Sequence, residues 1–220
     1  MTPSAAGVLR IERDAVALPG LLAGPIVGVA LGAHLHLFTG TPRASAQHMV
    51  LDAAGDVTVQ AHSVGVPAVV DACVLGEQIV LVCAGEAAGT AQPQLVLADP
   101  SGTPLHRVGL SPAGELSHWP LIAEAGGAAI LVWAETGPGG SALWGTRWAG
   151  AAAPEPTQLT AAPDTVAGLA LAGAGSDALI AVHGPTGGLA VSRLRDGRVD
   201  ATAVLFPDSR VRVARVYPRA

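Results

Sequence analysis

Histidines and carboxylates recur at the ends of short apolar runs, where a fold can bring them together. Imidazoles and carboxylates are the groups that proteins use for acid–base catalysis and for binding divalent metals. A set of them converging on one pocket is a candidate active or binding site. The imidazoles and carboxylates concerned are His62, Asp71, His118, Asp164, Glu86, Glu135, His183 and His48, and the guanidinium of Arg43 joins them.

Three of these side chains are the catalytic candidates: Asp71, His118 and Glu135. His118 opens an apolar run in the stretch SHWP. Asp71 interrupts the run AVVDACVL, where a carboxylate is unfavourable unless it lines a wet channel or is well hydrogen-bonded. Structural roles stay open for all three. The candidates for ligand binding are Trp119, His62, His183 and Asp164.

Metal and cofactor binding have little support in the sequence. His34 and His36 share one face of a strand and could chelate, but they follow a turn that lies away from the other candidates. Phosphate loops, zinc spacings and dinucleotide fingerprints are absent from the sequence. We therefore expect no metal and no cofactor. Cys73 and Cys83 are expected to be buried free thiols, with Cys73 opposite Val80 and Cys83 opposite Val70.

The composition limits the class of protein. The chain has 220 residues, of which 50% are hydrophobic and 13% charged, and its net charge is −5. The apolar runs are too short to span a bilayer, and the acidic balance argues against wrapping nucleic acid. The start of the chain has no basic segment followed by an apolar one, the pattern typical of a signal peptide. We therefore expect a cytoplasmic protein that does not associate with a membrane.

The elements that must position the candidates are short strands. The apolar runs are rich in Val, Leu and Ile, and Gly, Pro or Asp bounds each of them. Turns with Asp/Gly chemistry begin at Asp52 and Asp99, about 47 residues apart, and the pattern returns near Asp196. Four strands in each repeat of this length are typical of a β-propeller. The alternative all-β fold is a β-sandwich.

The repeats fill one domain, 1–220, and define four full four-stranded blades. A partial fifth blade is predicted from GVLRIERD (7–14) and RVRVARVY (210–217), which could pair and close the ring or join two chains into a homo-oligomer. The four predicted units are approximately 25–64, 66–110, 118–162 and 164–206.

The third unit, GGAAILVWAETGPGGSALWGTRW, resembles the blades of sialidase-like propellers. The resemblance implies a propeller whose ligands bind around the central channel, on the face to which we assigned the candidates. It does not imply sialidase activity, because the Asp-box is missing and the only tyrosine is Tyr217. Trp133, Trp144 and Trp148 are expected to pack between blades, and Trp119 to lie nearest the channel mouth.

Two functional hypotheses follow, and the sequence leaves open whether the protein is an enzyme. The first is a non-catalytic binding or scaffold propeller that recognises a partner protein or peptide on its loop face. The alternative is a glycosidase-like hydrolase or lyase that acts in the central funnel with Asp71, His118 and Glu135. An enzyme requires two or more of these groups within about 5–9 Å of each other in an open pocket, the range of paired glycosidase carboxylates, and a funnel filled by Ala, Val and Leu would exclude it.

Overall fold

In the computed structural model, the part of the chain that is described consists of β-strands joined by turns and short loops. The described residues are 26–40, 44–87, 90–110, 115–138, 140–150, 152–161, 166–184, 187–195 and 198–205. They form four separate four-stranded antiparallel sheets. The fold class expected from the sequence is confirmed, and four sheets do not form the two facing layers of a sandwich. The terminal strands predicted at 7–14 and 210–217 lie outside the described residues.

Each sheet is a meander of consecutive strands, and we call the sheets blades 1 to 4. Blade 1 contains β1 (Ile26–Leu31), β2 (His34–Thr39), β3 (Gln47–Asp52) and β4 (Val57–Ser63). Blade 2 contains β5 (Ala68–Leu75), β6 (Gln78–Ala87), β7 (Thr90–Ala98) and β8 (Pro104–Gly109). Blade 3 contains β9 (Glu115–Ala125), β10 (Ala128–Gly137), β11 (Gly140–Trp148) and β12 (Thr157–Ala161). Blade 4 contains β13 (Gly168–Ala174), β14 (Asp177–Gly184), β15 (Gly187–Arg195) and β16 (Arg198–Leu205).

The turn between the first two strands is built the same way in every blade. Two residues connect the strands, and the first is a glycine with a positive φ, which a tight hairpin turn requires and which glycine adopts without strain. These glycines are Gly32, Gly76, Gly126 and Gly175, with φ values of 61°, 64°, 58° and 62°. The repeat is therefore fixed by backbone chemistry as well as by apolar patterning.

The first strands of successive blades lie side by side, as expected of strands around a common axis. β1 contacts β5, β5 contacts β9, and β9 contacts β13. Among the described strands, no comparable contact joins β13 back to β1. The fourth strands β4 and β8 are mostly exposed and polar, which fits an outer rim.

Apolar cores fill the spaces between neighbouring blades. Between blades 2 and 3 the core contains Val82, Leu95, Leu131, Trp133 and Trp148. Trp144 packs against the same core, so the three tryptophans expected between blades do lie there. Separate cores lie between blades 1 and 2 and between blades 3 and 4.

The two cysteines are buried free thiols, as expected. Cys73 is opposite Val80, but Cys83 is opposite Val69 rather than Val70, because β5 has an irregularity between Val69 and Asp71. An extra residue at a bulge shifts the pairing by one. Burial raises the pKa of both thiols to about 12, so neither resembles a reactive cysteine.

Candidate functional site

Asp71 lies on β5, the first strand of blade 2, and its carboxylate reaches across to blade 3. One oxygen accepts a hydrogen bond from the Ile122 amide of β9 at 2.8 Å, and the other from its neighbour Ala72 at 2.9 Å. Burial raises the pKa of the Asp71 carboxyl, and the two amide donors oppose that shift. The sequence argument required a wet channel or good hydrogen bonds for this carboxylate, and the structure supplies the hydrogen bonds.

Glu135 lies near the end of β10 and is only 3% exposed. The indole Nε1 of Trp133 donates a hydrogen bond of 2.6 Å to its Oε1. Residues two apart on a strand share a face, so Glu135 faces the same way as Trp133. Trp133 packs against Val82 and Leu95 of blade 2, so Glu135 also faces blade 2.

The interface between blades 2 and 3 therefore brings together two of the three catalytic candidates, from opposite sides. β6 and β10 are the second strands of blades 2 and 3, and each begins directly after the two-residue turn from the first strand. Asp71 is opposite Val82, the fifth residue of β6, whereas Glu135 is the eighth residue of β10. The difference is three residues, or roughly 10 Å along a strand.

Three candidates and two further members of the set cannot be placed by their side chains. Asp164 and Arg43 lie outside the described residues, and the side chains of His118, Trp119 and Glu86 are not described. The backbone pairing places His118 opposite Ala134, next to Glu135 along β10. The sequence predicts that His118 opens this first strand, but β9 begins at Glu115, so His118 is its fourth residue.

His183 lies at the end of β14 in blade 4, on a different side from Asp71 and Glu135. Alternate residues Ile180 and Val182 pack toward blade 3, so the His183 ring faces the other way. The ring rests on the backbone of its partner Gly168, where any side chain would overlap it. His183 is 7% exposed, and its Nδ1 has no hydrogen-bond partner among the described residues.

His62 belongs to a cluster of imidazoles between blades 1 and 2. Its Nε2 lies 3.2 Å from the carbonyl oxygen of Ser101 in the β7–β8 turn. His48 Nδ1 lies 3.1 Å from the same oxygen, and His48 Nε2 lies 3.0 Å from His36 Nδ1. His36 and His48 are 3% and 0% exposed. Burial, with the charges of His36 and His62, lowers the pKa of His48 to about 4.

The sequence did not identify this cluster. His34 and His36 were recognised as sharing a face and as lying away from the other candidates, but His48 was assigned to a loop at the channel mouth. In the structure His48 is inside β3, directly opposite Phe38 of β2, and its ring stacks on Phe38. The signal available in the sequence was the number of histidines in one repeat.

The described residues do not form a metal centre. No group of three or more His, Cys, Asp and Glu side chains among them is arranged to hold a metal ion. Nor does the described part of the chain contain a helix that is long and apolar enough to cross a membrane.

Comparisons with known proteins give a fold but no family. No family model and no curated protein matches the sequence. A GH43 endo-arabinanase from Bacillus licheniformis is similar in structure, with a TM-score of 0.52 and 12% identity over 81% of this chain and 73% of that chain. A GH32 beta-fructofuranosidase from Bombyx mori, solved with sucrose, has a TM-score of 0.42 and 13% identity over 80% of this chain and 49% of that chain.

Both neighbours are β-propeller glycosidases. The arabinanase supports a propeller fold for this chain and does not single out sialidase-like blades. At these identities the likeness shows the fold alone, because one fold hosts many unrelated functions.

Proposed function

We propose that this chain is a glycosidase-like hydrolase that acts at the interface of blades 2 and 3, with Asp71 and Glu135 as its acid–base pair. The observation that carries the proposal is that two shielded carboxyl groups from neighbouring blades face the same interface. The glycosidases of similar fold favour this hypothesis over a non-catalytic binder.

The two carboxyl groups have environments suited to different roles. Burial raises the pKa of the Asp71 carboxyl above its ordinary value, which is the direction that a general acid requires. Glu135 is held in one orientation by the Trp133 indole, and a fixed carboxylate can take the proton of an attacking water. We propose that the attacking water lies between the two carboxyl groups, which gives inversion at the anomeric carbon.

The second candidate is a binding propeller without catalysis, which recognises a partner protein or peptide on its loop face. A specific observation favours it: the Asp71 carboxylate links the first strands of blades 2 and 3 through the Ile122 amide. This structural role is enough to explain a carboxylate at position 71, without any contact to a substrate. Under this hypothesis Asp71 and Glu135 hold the blades in place, and the partner contacts the loop face.

The experiment measures hydrolysis by the purified full chain. Arabinan, sucrose, levan and nitrophenyl glycosides are the substrates, since the structural neighbours are named for arabinan and β-fructofuranosides. D71N and E135Q should each lower kcat by about 100-fold or more. E155Q, at an exposed glutamate of blade 3, is the matched control and should leave kcat unchanged.

The outcomes separate the two candidates. Hydrolysis that both variants lose while their melting temperatures stay near that of the unmodified protein supports the enzyme. Product followed by NMR should first show the inverted anomer. If no substrate is cleaved and D71N only lowers the melting temperature, the hydrolase hypothesis is wrong and the structural role of Asp71 stands.

A further inference from the structure

A cavity of about 500 Å³ opens between blades 1 and 2, away from the carboxylates of blades 2 and 3. It adjoins the turns that join β1 to β2, β5 to β6 and β7 to β8. This volume falls within the range of small-molecule sites, which are mostly apolar with a few polar groups. Its lining residues are Leu31, Gly32, His34, His36, Val50, Thr58, Val59, Glu77 and Pro100.

The protons of the histidine cluster can be assigned from its acceptors. A carbonyl oxygen only accepts, so His48 Nδ1, 3.1 Å from Ser101 O, must carry the hydrogen. His48 has a pKa of about 4, so its ring is neutral near pH 7 and its Nε2 bears a lone pair. His36 Nδ1 must then donate to His48 Nε2 across 3.0 Å.

This assignment determines what His36 offers to the cavity. Burial, followed by the charge of His34, lowers the pKa of His36, so that ring is also neutral. With its hydrogen on Nδ1, the Nε2 of His36 is a hydrogen-bond acceptor. The Thr58 hydroxyl donates to the Val50 carbonyl, so its oxygen is an acceptor as well. Glu77, exposed at the mouth, adds a carboxylate.

The cavity therefore combines acceptors with hydrocarbon walls. Leu31, Val50, Val59 and Pro100 supply the apolar surface. No arginine is among the described residues that line it, and the chain has no lysine. The His34 ring also lines the cavity and carries at least one N–H donor, so the charge preference of the lining rests on the Glu77 carboxylate. A ligand that brings positive charge and donors to an apolar body complements that carboxylate and the acceptors of His36 and Thr58.

We propose that this cavity is a binding site for a small organic cation, a primary alkylammonium or arylalkylammonium ion. Its ammonium group donates to His36 Nε2 and to the Glu77 carboxylate, and its hydrocarbon part packs on Val50, Val59 and Pro100. The site is independent of the proposed hydrolase centre, so either can fail without the other.

The test is calorimetric titration of the full chain at pH 7.5 with hexylammonium, hexan-1-ol and hexanoate. These probes share one apolar chain and differ in charge and donor capacity. Hexylammonium should bind with a dissociation constant of roughly 1 mM, hexan-1-ol more weakly, and hexanoate without measurable heat. Hexanoate binding as tight as hexylammonium binding would overturn the proposal.

Variants locate the site. E77Q should weaken hexylammonium binding by about fivefold and leave hexan-1-ol unaffected, because it removes an exposed charge. E155Q is the matched control and should change neither. V59W should block the cavity for both ligands, since Val59 is a cavity residue that is 39% exposed and tolerates a larger side chain. Binding that survives V59W at full strength would place the ligand elsewhere.

A spectroscopic measurement tests the role of His36. In ¹⁵N NMR spectra the unprotonated Nε2 of His36 should shift upfield as hexylammonium is added, because its lone pair accepts a hydrogen bond. The signals of His106, on blade 2 away from the cavity, should stay in place. A His36 signal that does not move during saturating binding would exclude the proposed contact.

Discussion

The interface between blades 1 and 2 and the interface between blades 3 and 4 each contain an apolar core, but they differ in what accompanies it. The first contains the imidazoles of His36, His48 and His62 and a cavity. It also contains the β7–β8 turn, whose Ser101 carbonyl contacts His48 and His62, and we call this turn the docked turn. The second relies on close backbone approach: Gly126 donates to the Gly175 carbonyl at 2.8 Å, and Gly173 packs directly on the Glu124 carbonyl. Bulky polar rings leave room for a ligand, whereas glycine and alanine let the two strands meet.

The difference shows how one repeat can serve two purposes. Both interfaces join sheets of the same topology, so the framework does not depend on what fills the space between the blades. The side chains decide whether an interface is a rigid joint or a polar pocket. We therefore expect substitutions at the interface between blades 3 and 4 to change stability alone. Substitutions between blades 1 and 2 should also change the responses to pH and to ligands.

The largest effect is expected from G173A in blade 4. A Cβ there would overlap the Glu124 carbonyl oxygen, so the blades must separate. We expect a loss of about 3 kcal/mol or more in the free energy of unfolding, measured by urea denaturation. G137A is the control, because a Cβ at Gly137 meets nothing within 4 Å. Equal losses in the two variants would show that this interface is not tightly closed.

This rigid joint was only partly predictable from the sequence. The glycine turns and apolar runs predict four four-stranded units because their periods depend on local backbone chemistry. Which glycine meets a neighbouring backbone depends on how two blades align. The same limit applies at the site: Asp71 was identified by its odd place in an apolar run, but its Ile122 partner lies 51 residues away. His48 and Ser101 are 53 residues apart, and nothing local links them.

The second prediction concerns pH and the polar interface. The pKa of His48 is about 4 in the folded chain and 6.5 ordinarily, so the unfolded chain binds the additional proton between these values. Stability from this group is fully present above pH 6.5 and is lost as pH falls toward 4. Its full size is about 3 kcal/mol, because His48 is completely buried.

Other groups affect the same pH profile. His36 has a lowered pKa and adds a loss of the same sign. Around His48, burial and the charges of His36 and His62 favour the neutral ring, whereas Ser101 and Asp99 favour the charged one. The raised pKa of Asp71 gives the opposite slope above its ordinary value of 3.8.

Urea titrations from pH 7.5 to 4.5 should therefore show a free energy of unfolding that falls as the pH falls. The H48Q variant should flatten this dependence, whereas the control variant H106Q should leave it unchanged. An unchanged slope in H48Q would contradict the assignment.

A smaller effect is expected where the turn of blade 2 enters blade 1. Gly102 has a φ of 82°, and a Cβ there would lie 2.6 Å from His48 Nδ1. G102A should lower the free energy of unfolding by about 2 kcal/mol, because it combines backbone strain with a displaced ring. The control is G76A, where φ is 64° and a Cβ meets nothing within 4 Å; strain alone predicts about 1 kcal/mol. If G76A loses as much as G102A, the His48 contact contributes nothing.

The smallest effect on stability is expected at the docked turn between β7 and β8, compared with the equivalent turn between β3 and β4 in blade 1. Asp99 Oδ1 accepts hydrogen bonds from the Ser101 amide, the Ser101 hydroxyl and the Thr103 amide, at 2.9, 2.6 and 2.9 Å. Asp52 Oδ1 accepts from the Asp56 amide at 2.9 Å. D99A should therefore lower the free energy of unfolding by about 1 kcal/mol and D52A by about half as much, since exposed hydrogen bonds contribute little net stability.

Only D99A should also loosen the Ser101 carbonyl that faces His48 and His62. The imidazole signals of His48 in NMR spectra should move in D99A and stay in place in D52A. That pattern would show that the turn positions the histidine cluster as well as closing its own hairpin. If both variants shift the His48 signals alike, the cluster is held by blade 1 itself, and the polar interface depends less on the docked turn than on the stacking of His48 against Phe38.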